Sequence, residues 1–257
     1  HFAGHTMQWD SPWGSGFPGW HLECSAIIHA TLGDPIDIHT GGVDHIGTHH
    51  PNEMAQTEAA FGHKLSKFWI HNEFVLVDGT KMSKSKGNSY TLKDITEKGF
   101  EPLALRMLYL QAHYRSELNF SWDNLEAAQH RLNRWQAVAD LRWQLNQSAQ
   151  LDSSVVMTLL ANDLGTPKTL SIIDEFFDSA ESAGSYPDVR TLRLIDNLLG
   201  INLLKDDVSE TIKNLIHDRD AARAAKQWQK SDEIRDKLKE HGIGVRDTDN
   251  GQIWFRL

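Results

Sequence analysis

The feature that most constrains the fold is a change of pattern near residue 100. Before it, short apolar segments alternate between helical and strand-like spacing and are separated by breaks such as Gly33-Asp34-Pro35. After it, apolar residues recur at helical spacing over long stretches. Alternating helix and strand is typical of a parallel α/β layer, whereas long amphipathic repeats predict a helical bundle. The sequence therefore predicts an α/β part followed by a mainly helical part.

Segment boundaries follow from the glycines and prolines. Residues 1–20 hold four Gly, three Trp and two Pro without any period, which predicts an extended loop. We expect the next elements to be a helix over 20–32, a strand over 36–39 ending at Gly41-Gly42, a helix from His50 to Phe61, and a strand over 68–77 followed by the Asp78-Gly79 turn.

The second part predicts helices over 101–113, 124–145, 152–162, 166–183, 187–200 and 207–241. The helix over 124–145 carries an apolar stripe that we expect to be buried, formed by Leu125, Leu132, Trp135, Val138 and Leu141. Residues 242–257 read as a hairpin with an Asn-Gly turn.

Composition excludes several classes of protein. The single cysteine among 257 residues rules out an internal disulfide framework and favours a cytoplasmic setting. No apolar run approaches the ~18 residues that a membrane span needs. A net charge of −9 argues against binding nucleic acid over the whole surface but leaves room for a local basic track.

The sharpest chemical signal is the string Lys81-Met82-Ser83-Lys84-Ser85, which follows the Asp78-Gly79 turn. Two ammonium groups three residues apart on such a loop can fold over a polyphosphate and stabilise the charge that grows in nucleotidyl transfer. A generic pair of this spacing is usually a solvated loop, but this five-residue string is the signature of class I aminoacyl-tRNA synthetases.

Two further sets of residues suggest binding. Cys24, His49 and Glu53 supply a thiol, an imidazole and a carboxylate, the three common ligand types for zinc, and His50 rivals His49 on spacing alone. Each also has an ordinary structural explanation. The glycines at 41 and 42, at a predicted strand end, would allow close backbone approach to a sugar or phosphate, although a simple turn explains them equally well.

Taken together, these residues resemble the cysteinyl-tRNA synthetases. The resemblance rests on four strings in the family's order: Trp13-Gly14 through Ser25-Ala26, Asp37 through Asp44, His49-His50-Pro51-Asn52-Glu53, and the lysine loop. The tail from Arg223 to Trp254 resembles that of the family. The likeness covers essentially all 257 residues, as the second half of such an enzyme.

The resemblance implies a role for each matching residue. Cys24, His49 and Glu53 would hold one zinc ion that binds the substrate cysteine as a thiolate. Trp20 and Asp44 would contact the amino acid, Gly41 and Gly42 the adenylate ribose, and Lys81 and Lys84 the pyrophosphate of ATP, which is used with Mg²⁺. The anticodon of tRNA(Cys) would be read by Arg223, Trp228 and Asp232, which we place on one helix, and by Asp247 on the hairpin.

The implied fold is the second half of a Rossmann-like catalytic domain, then a helical bundle and a small α+β module. The expected segments are 1–100, a stem-contact connector at 101–122, the bundle at 123–205 and an anticodon-binding module at 206–257. The protein would be a monomer without a membrane segment.

The chain also departs from the family. Its His-Ile-Gly-His motif and second zinc cysteine are absent, and Glu73 replaces a common Gly. We therefore expect a fragment that is inactive alone and lacks a fourth zinc ligand.

Three alternatives stay open at this stage. One is a ligase of the same fold that joins cysteine to an amino sugar, which the tail disfavours. Another is a non-catalytic tRNA-binding module, which the lysine loop disfavours. A zinc hydrolase is the weakest, because we find no arrangement suited to a general base.

Overall fold

A computed structural model describes residues 7–83, 87–248 and 251–257. The chain forms two compact units. The first comprises the described residues up to Leu76 together with Tyr114–Leu118, and the second comprises Val77–His113 with the described residues from Asn119 onward. Among the described residues, none of the helices has both the length and the apolar character that crossing a membrane would require.

The first unit begins with an antiparallel hairpin rather than the extended loop that we expected. Strands β1 (Trp9–Ser11) and β2 (Gly14–Gly16) pair directly across a two-residue turn. Each strand has only three residues and all of them are exposed, so no alternation of buried and exposed positions marks them in the sequence. That part of the prediction was wrong for this reason.

A β–α–β unit follows and confirms the predicted alternation. Helix α1 (Trp20–Ile27) continues as a π-helical turn to Leu32, and strand β3 (Ile36–Gly42) leads through a 3₁₀ turn to helix α2 (His49–Phe61). Strand β4 (Ser66–Asn72) then pairs in parallel with β3.

The predicted strand over 68–77 is two strands. Strand β4 ends at Asn72 and β5 (Val75–Val77) begins three residues later. The break arises because the backbone at Glu73 and Phe74 bonds elsewhere: the Glu73 N–H donates to the Tyr114 carbonyl at 2.8 Å, and the Phe74 carbonyl accepts from Leu118. These partners are about 40 positions away in sequence, so local spacing carries no sign of the break.

The Asp78-Gly79 turn is confirmed. Both residues have positive φ, 47° and 73°, as a tight hairpin turn requires, and they join β5 to β6 (Thr80–Lys81). A third strand, β7 (Leu118–Phe120), completes a sheet of order β6–β5–β7. Of the three points where the chain passes from one unit to the other, one falls within β5 and one within β7.

Six helices of the second unit precede the tail in the described residues. They are α3 (Leu92–Glu97), α4 (Pro102–Leu110), α5 (Trp122–Asp140), α6 (Ser153–Ala161), α7 (Thr166–Ser182) and α8 (Val189–Leu199). Two short parallel strands, β8 (Ser148–Ala149) and β9 (Tyr186–Pro187), lie between them in sequence. The whole predicted stripe of α5 and the turn after it is buried, which confirms the helical spacing.

The tail contains two helices where one was expected. Helix α9 (Glu210–Ala224) ends before Lys226, which has φ of 57°, and α10 (Trp228–Glu240) begins two residues later. The Gln227 N–H donates back to the Ala222 carbonyl at 2.8 Å and closes this turn. No Gly or Pro marks the break, so the local residue pattern did not predict it. Strands β10 (Ile243–Thr248) and β11 (Gly251–Arg256) confirm the hairpin, while Asn250 of its expected turn lies outside the described residues.

Candidate functional site

The first unit brings Cys24, His49 and Glu53 together. Cys24 lies on α1, while His49 and Glu53 lie one turn apart at the start of α2. One ligand atom from each falls within 4.8 Å of the others. Burial, and then the nearby Glu53, raises the pKa of the Cys24 thiol, so the metal-free site favours the protonated form. The arrangement is one that a cation able to take a thiolate could occupy.

The Glu53 carboxyl supports this interpretation. Its side chain is fully buried, and among the residues that the structure describes its Oε1 atom has no hydrogen-bond partner, although the Nε2 atom of His49 lies 3.4 Å away. Its other oxygen, Oε2, lies 2.7 Å from Nε2 of His39 on β3. A buried oxygen without a partner is costly unless a ligand satisfies it. The donor set therefore fits a zinc ion, with three protein ligands among the residues present.

His50 has a different partner from His49. It is buried, and its Nδ1 atom is hydrogen-bonded to Nε2 of His71 at 2.7 Å. Burial and the surrounding histidines, including His39 and His71, lower the pKa of His50 to about 4. A second set of potential ligands, formed by His39, His50 and Glu53, nevertheless shares the same carboxyl. Spacing could not separate the two sets, because either histidine falls near the start of the same helix.

The two residues expected to contact the amino acid, Trp20 and Asp44, differ in how close they lie to this cluster. Trp20 begins α1, is 65% exposed, and its ring lies edge-on to those of His49 at 4.9 Å and His45 at 5.9 Å. Asp44 lies in the 3₁₀ turn after β3 and is exposed. The structure therefore places Trp20 against a candidate ligand residue, whereas Oδ1 of Asp44 lies 4.0 Å from Nδ1 of His45.

The two glycines end β3, as expected. A Cβ atom on Gly41 would lie 2.6 Å from the ring of His50, so only glycine lets that ring pack against the strand. The Gly42 N–H donates to Nδ1 of His45 at 3.2 Å. Packing of the histidines thus gives these glycines a structural reason besides the proposed approach of a ribose.

The lysine loop belongs to the second unit. Lys81 ends β6 and is exposed, whereas Lys84 lies outside the described residues. Asn88, which the sequence did not single out, braces the described ends of this loop. Its amide accepts from the Ser83 N–H at 2.8 Å and donates to the Lys81 carbonyl at 3.3 Å and to the Thr80 hydroxyl at 3.1 Å.

Three of the four tail residues form one cluster, although Arg223 and Trp228 lie on different helices. Arg223 lies in the last turn of α9. Its guanidinium is 5.7 Å from the ring of Trp228, the first residue of α10, and 3.1 Å from the carboxylate of Asp247 on β10. Trp228 is 56% exposed, so it is not a core residue. Asp232 pairs with Arg235 at 3.1 Å.

The sequence missed Arg219, which organises this cluster. It is buried on α9, and its Nη1 and Nη2 atoms donate to the two oxygens of Asp247 at 3.0 and 3.2 Å. Arg219 also donates to the side-chain oxygen of Gln252. These bonds hold the pKa of the Asp247 carboxyl below its usual range. The available signal was its position four residues before Arg223, which places both arginines on one face of α9.

Comparison with known proteins follows this geometry. Residues 2–130 match the family described as tRNA synthetases class I (C) catalytic domain, and residues 205–254 match the cysteinyl-tRNA ligase anticodon binding domain. The chain is 41% identical to cysteine–tRNA ligase 1 of Burkholderia lata over 98% of its own length and 54% of that protein. It is 39% identical to the cysteine–tRNA ligase of Treponema denticola, over 100% of its own length and 60% of that protein.

Among solved structures, the chain is similar to LeuRS in a LeuRS–tRNA–LeuAMS ternary complex from Agrobacterium radiobacter. The TM-score is 0.53 at 14% identity, covering 76% of this chain and 32% of that one. At this identity the likeness supports the fold alone. The chain spans little more than half the length of the curated relatives that it matches.

Proposed function

The chain belongs to the class I cysteinyl-tRNA synthetases, and from this premise we propose that it forms the zinc-, nucleotide- and anticodon-binding part of a cysteine–tRNA ligase. In the reaction, the carboxylate of cysteine attacks the α-phosphorus of ATP, and pyrophosphate leaves with Mg²⁺. The 3′-terminal ribose hydroxyl of tRNA(Cys) then attacks the carbonyl, and AMP leaves. Such catalysis depends on positioning and electrostatics rather than on a nucleophilic side chain.

The single observation that carries this proposal is the convergence of Cys24, His49 and Glu53 beneath an exposed Trp20. When bound there, a zinc ion supplies a soft acceptor for a thiolate and lowers the pKa of a thiol. Serine cannot make the same bond, so discrimination against it needs no editing step. The Trp20 ring would pack against the bound amino acid, and the Asp44 carboxylate would take its ammonium group.

The remaining roles follow from the resemblance. Gly41 and Gly42 would approach the ribose, and Lys81 would stabilise the departing pyrophosphate together with Lys84, which lies outside the described residues. Arg223, Trp228, Asp232 and Asp247 would read the anticodon by stacking and by hydrogen bonds to base edges. The segments 1–100, 101–122, 123–205 and 206–257 remain our proposed division of roles, in a monomer that acts in the cytoplasm.

A calorimetric titration of the zinc-loaded chain tests the amino-acid site. We expect cysteine to bind more tightly than serine by at least about 100-fold, because the site gives a thiolate a partner that it denies to a hydroxyl. The Cys24→Ser variant should lose this preference, whereas His217→Gln, at a side chain that is 84% exposed, should retain it. Cysteine that binds no better than serine would overturn the proposal.

Filter binding with tRNA separates the proposal from the amino-sugar ligase. We expect the chain to bind tRNA(Cys) more tightly than the same tRNA with a substituted anticodon. Trp228→Ala should weaken binding by about 1–3 kcal/mol, the usual value of one base stacked on an aromatic ring. Binding to an amino sugar without any to tRNA would favour the alternative. Anticodon-dependent binding without a cysteine preference would indicate a non-catalytic tRNA-binding module.

A further inference from the structure

The two oxygens of the Glu53 carboxyl have different surroundings. Oε2 lies 2.7 Å from Nε2 of His39, within hydrogen-bonding distance. Oε1 has no hydrogen-bond partner in the described part of the chain and lies 3.4 Å from Nε2 of His49, which groups with Cys24. Rotation of the carboxyl would exchange these positions, so the hydrogen bond from His39 determines which oxygen is left for a ligand.

His39 is itself held in place by the sheet. It lies on β3 directly opposite Trp69 of β4, and the two ring centroids are 4.7 Å apart. The ring of His50 packs on it at the same distance. Its side chain is 17% exposed, so solvent competes little for the Nε2 proton. The rigid β3–β4 pair thus delivers one N–H donor to a carboxyl on a separate helix.

We propose that His39 is a positioning residue for the metal centre: by donating to Glu53 Oε2, it fixes Oε1 as a zinc ligand beside Cys24 and His49. This inference rests on the metal site of the proposed function. Carboxylates that ligate metals are generally hydrogen-bonded by a second group, whose loss costs about 10–100-fold in metal affinity. His39 is thereby assigned no direct bond to the ion.

The competing arrangement is the set formed by His39, His50 and Glu53. In it His39 would be a direct ligand and Cys24 would play no part. Two contacts disfavour it: His50 is already bonded to His71 through Nδ1, and its ring lies so close to the strand that a Cβ on Gly41 would overlap it. Only the set containing Cys24 offers the thiolate that zinc and cobalt(II) bind with a soft bond.

Cobalt(II) titration of the full chain, followed by absorption and by competition with a chelator, tests the proposal. The informative pair is His39→Gln and His39→Asn. The glutamine amide nitrogen reaches the position of Nε2 and can still donate to Glu53, whereas the shorter asparagine cannot. We expect His39→Gln to retain roughly wild-type affinity and His39→Asn to lose about 10–100-fold. Both should keep the near-ultraviolet band of a cobalt–thiolate bond.

Each other outcome has a definite meaning. If both variants lose binding alike and the visible cobalt bands change, His39 is a direct ligand and the proposal is wrong. If His39→Asn binds as the wild type does, no positioning role exists. A wild-type spectrum without the thiolate band, or cobalt binding that persists unchanged in Cys24→Ser, would instead overturn the underlying metal site. His217→Gln serves as the surface control, and far-ultraviolet circular dichroism verifies folding of each variant.

Discussion

In the first unit the buried side chains are mostly polar, whereas in the second they are mostly apolar. The described buried residues of the first unit are Ser25, His50, Glu53, Thr57 and Ser66, with Ile28 and Leu65 as its apolar members. The second unit buries a large apolar set that includes Trp135, Leu170, Ile173, Phe177 and Ile195. The unit with the candidate metal site therefore has little hydrophobic core of its own, and we expect its stability to depend on what binds there.

The two units also differ in how a carboxyl of the candidate sites is hydrogen-bonded. Glu53 keeps one buried oxygen without a hydrogen-bond partner. Asp247 has both oxygens engaged by Arg219, and Arg223 adds a further ion pair. A carboxyl with an unpaired buried oxygen gains by binding a ligand, whereas a carboxyl with both oxygens hydrogen-bonded is already held in place before its partner arrives. Four predictions test this contrast, in order of decreasing effect.

The largest effect should come from the apolar core of the second unit. Phe177 is fully buried against Trp135, with ring centroids 5.2 Å apart, so Phe177→Ala should cost about 3–5 kcal/mol of unfolding free energy. Phe68→Ala in the first unit is the matched control, because that ring is 66% exposed. Urea unfolding measures both. A cost for Phe68→Ala equal to that for Phe177→Ala would contradict the contrast.

Zinc should stabilise the first unit specifically. At a free zinc concentration 1,000 times the dissociation constant, binding adds about 4 kcal/mol to the unfolding free energy. Amide hydrogen exchange should show this increase in α1, α2 and β3, and Cys24→Ser should remove it. Protection that rises equally in α7 and α8, or that survives the substitution, would show that the metal acts elsewhere.

Substituting Arg219 should cost more unfolding free energy than substituting Arg223, although both residues contact Asp247. Arg219→Met removes a buried donor of two charged hydrogen bonds, so we expect a loss of about 1.5–3 kcal/mol. Arg223→Met removes a half-exposed ion pair and should cost less than about 1 kcal/mol. Thermal unfolding compares them. Equal losses would mean that Asp247 is not anchored mainly by Arg219.

The two units should lose folding stability over different pH ranges as the pH falls. The pKa of His50 is about 4 in the folded chain and near 6.5 unfolded, so the unfolded state binds more protons between these values. The first unit should therefore lose stability as pH falls from about 6.5 to 4, and the lowered pKa of His71 acts in the same direction. The lowered pKa of Asp247 means that its contribution is complete above about 3.9 and is lost only as pH falls through its folded value.

Nuclear magnetic resonance titration of the metal-free chain measures these groups directly. The His50 ring proton should titrate near pH 4, well below the ordinary histidine pKa of about 6.5. Hydrogen exchange at pH 7 and pH 5 should show weakened protection in α2 before any change around Asp247. A His50 midpoint near its ordinary value would contradict the burial argument, and the Asp247→Asn variant isolates the second group.

Local sequence patterns predict much of this architecture. Several features are determined by residues within a few positions of one another. They are the apolar stripe of α5 and the 3₁₀ turn after it, the turn at Asp78 and Gly79, and the end of α2 before Gly62. The same holds for the motifs, since the lysine loop and the string at His49 are contiguous. The two main errors have different causes. The break between β4 and β5 depends on partners near residue 114, and the break after α9 depends on a positive φ at Lys226.

The sequence by itself determined the elements and the residue types available for chemistry, because spacing and turn residues act over a few positions. Only the tertiary structure showed that His49 groups with Cys24 whereas His50 is bonded to His71, placed Arg223 and Trp228 on different helices but in contact, and revealed the contacts of His39 and Arg219. These features depend on burial and on hydrogen bonds between side chains that lie 14 and 28 positions apart. Local sequence patterns do not predict contacts between residues so far apart in sequence, because the backbone must fold before the side chains can meet.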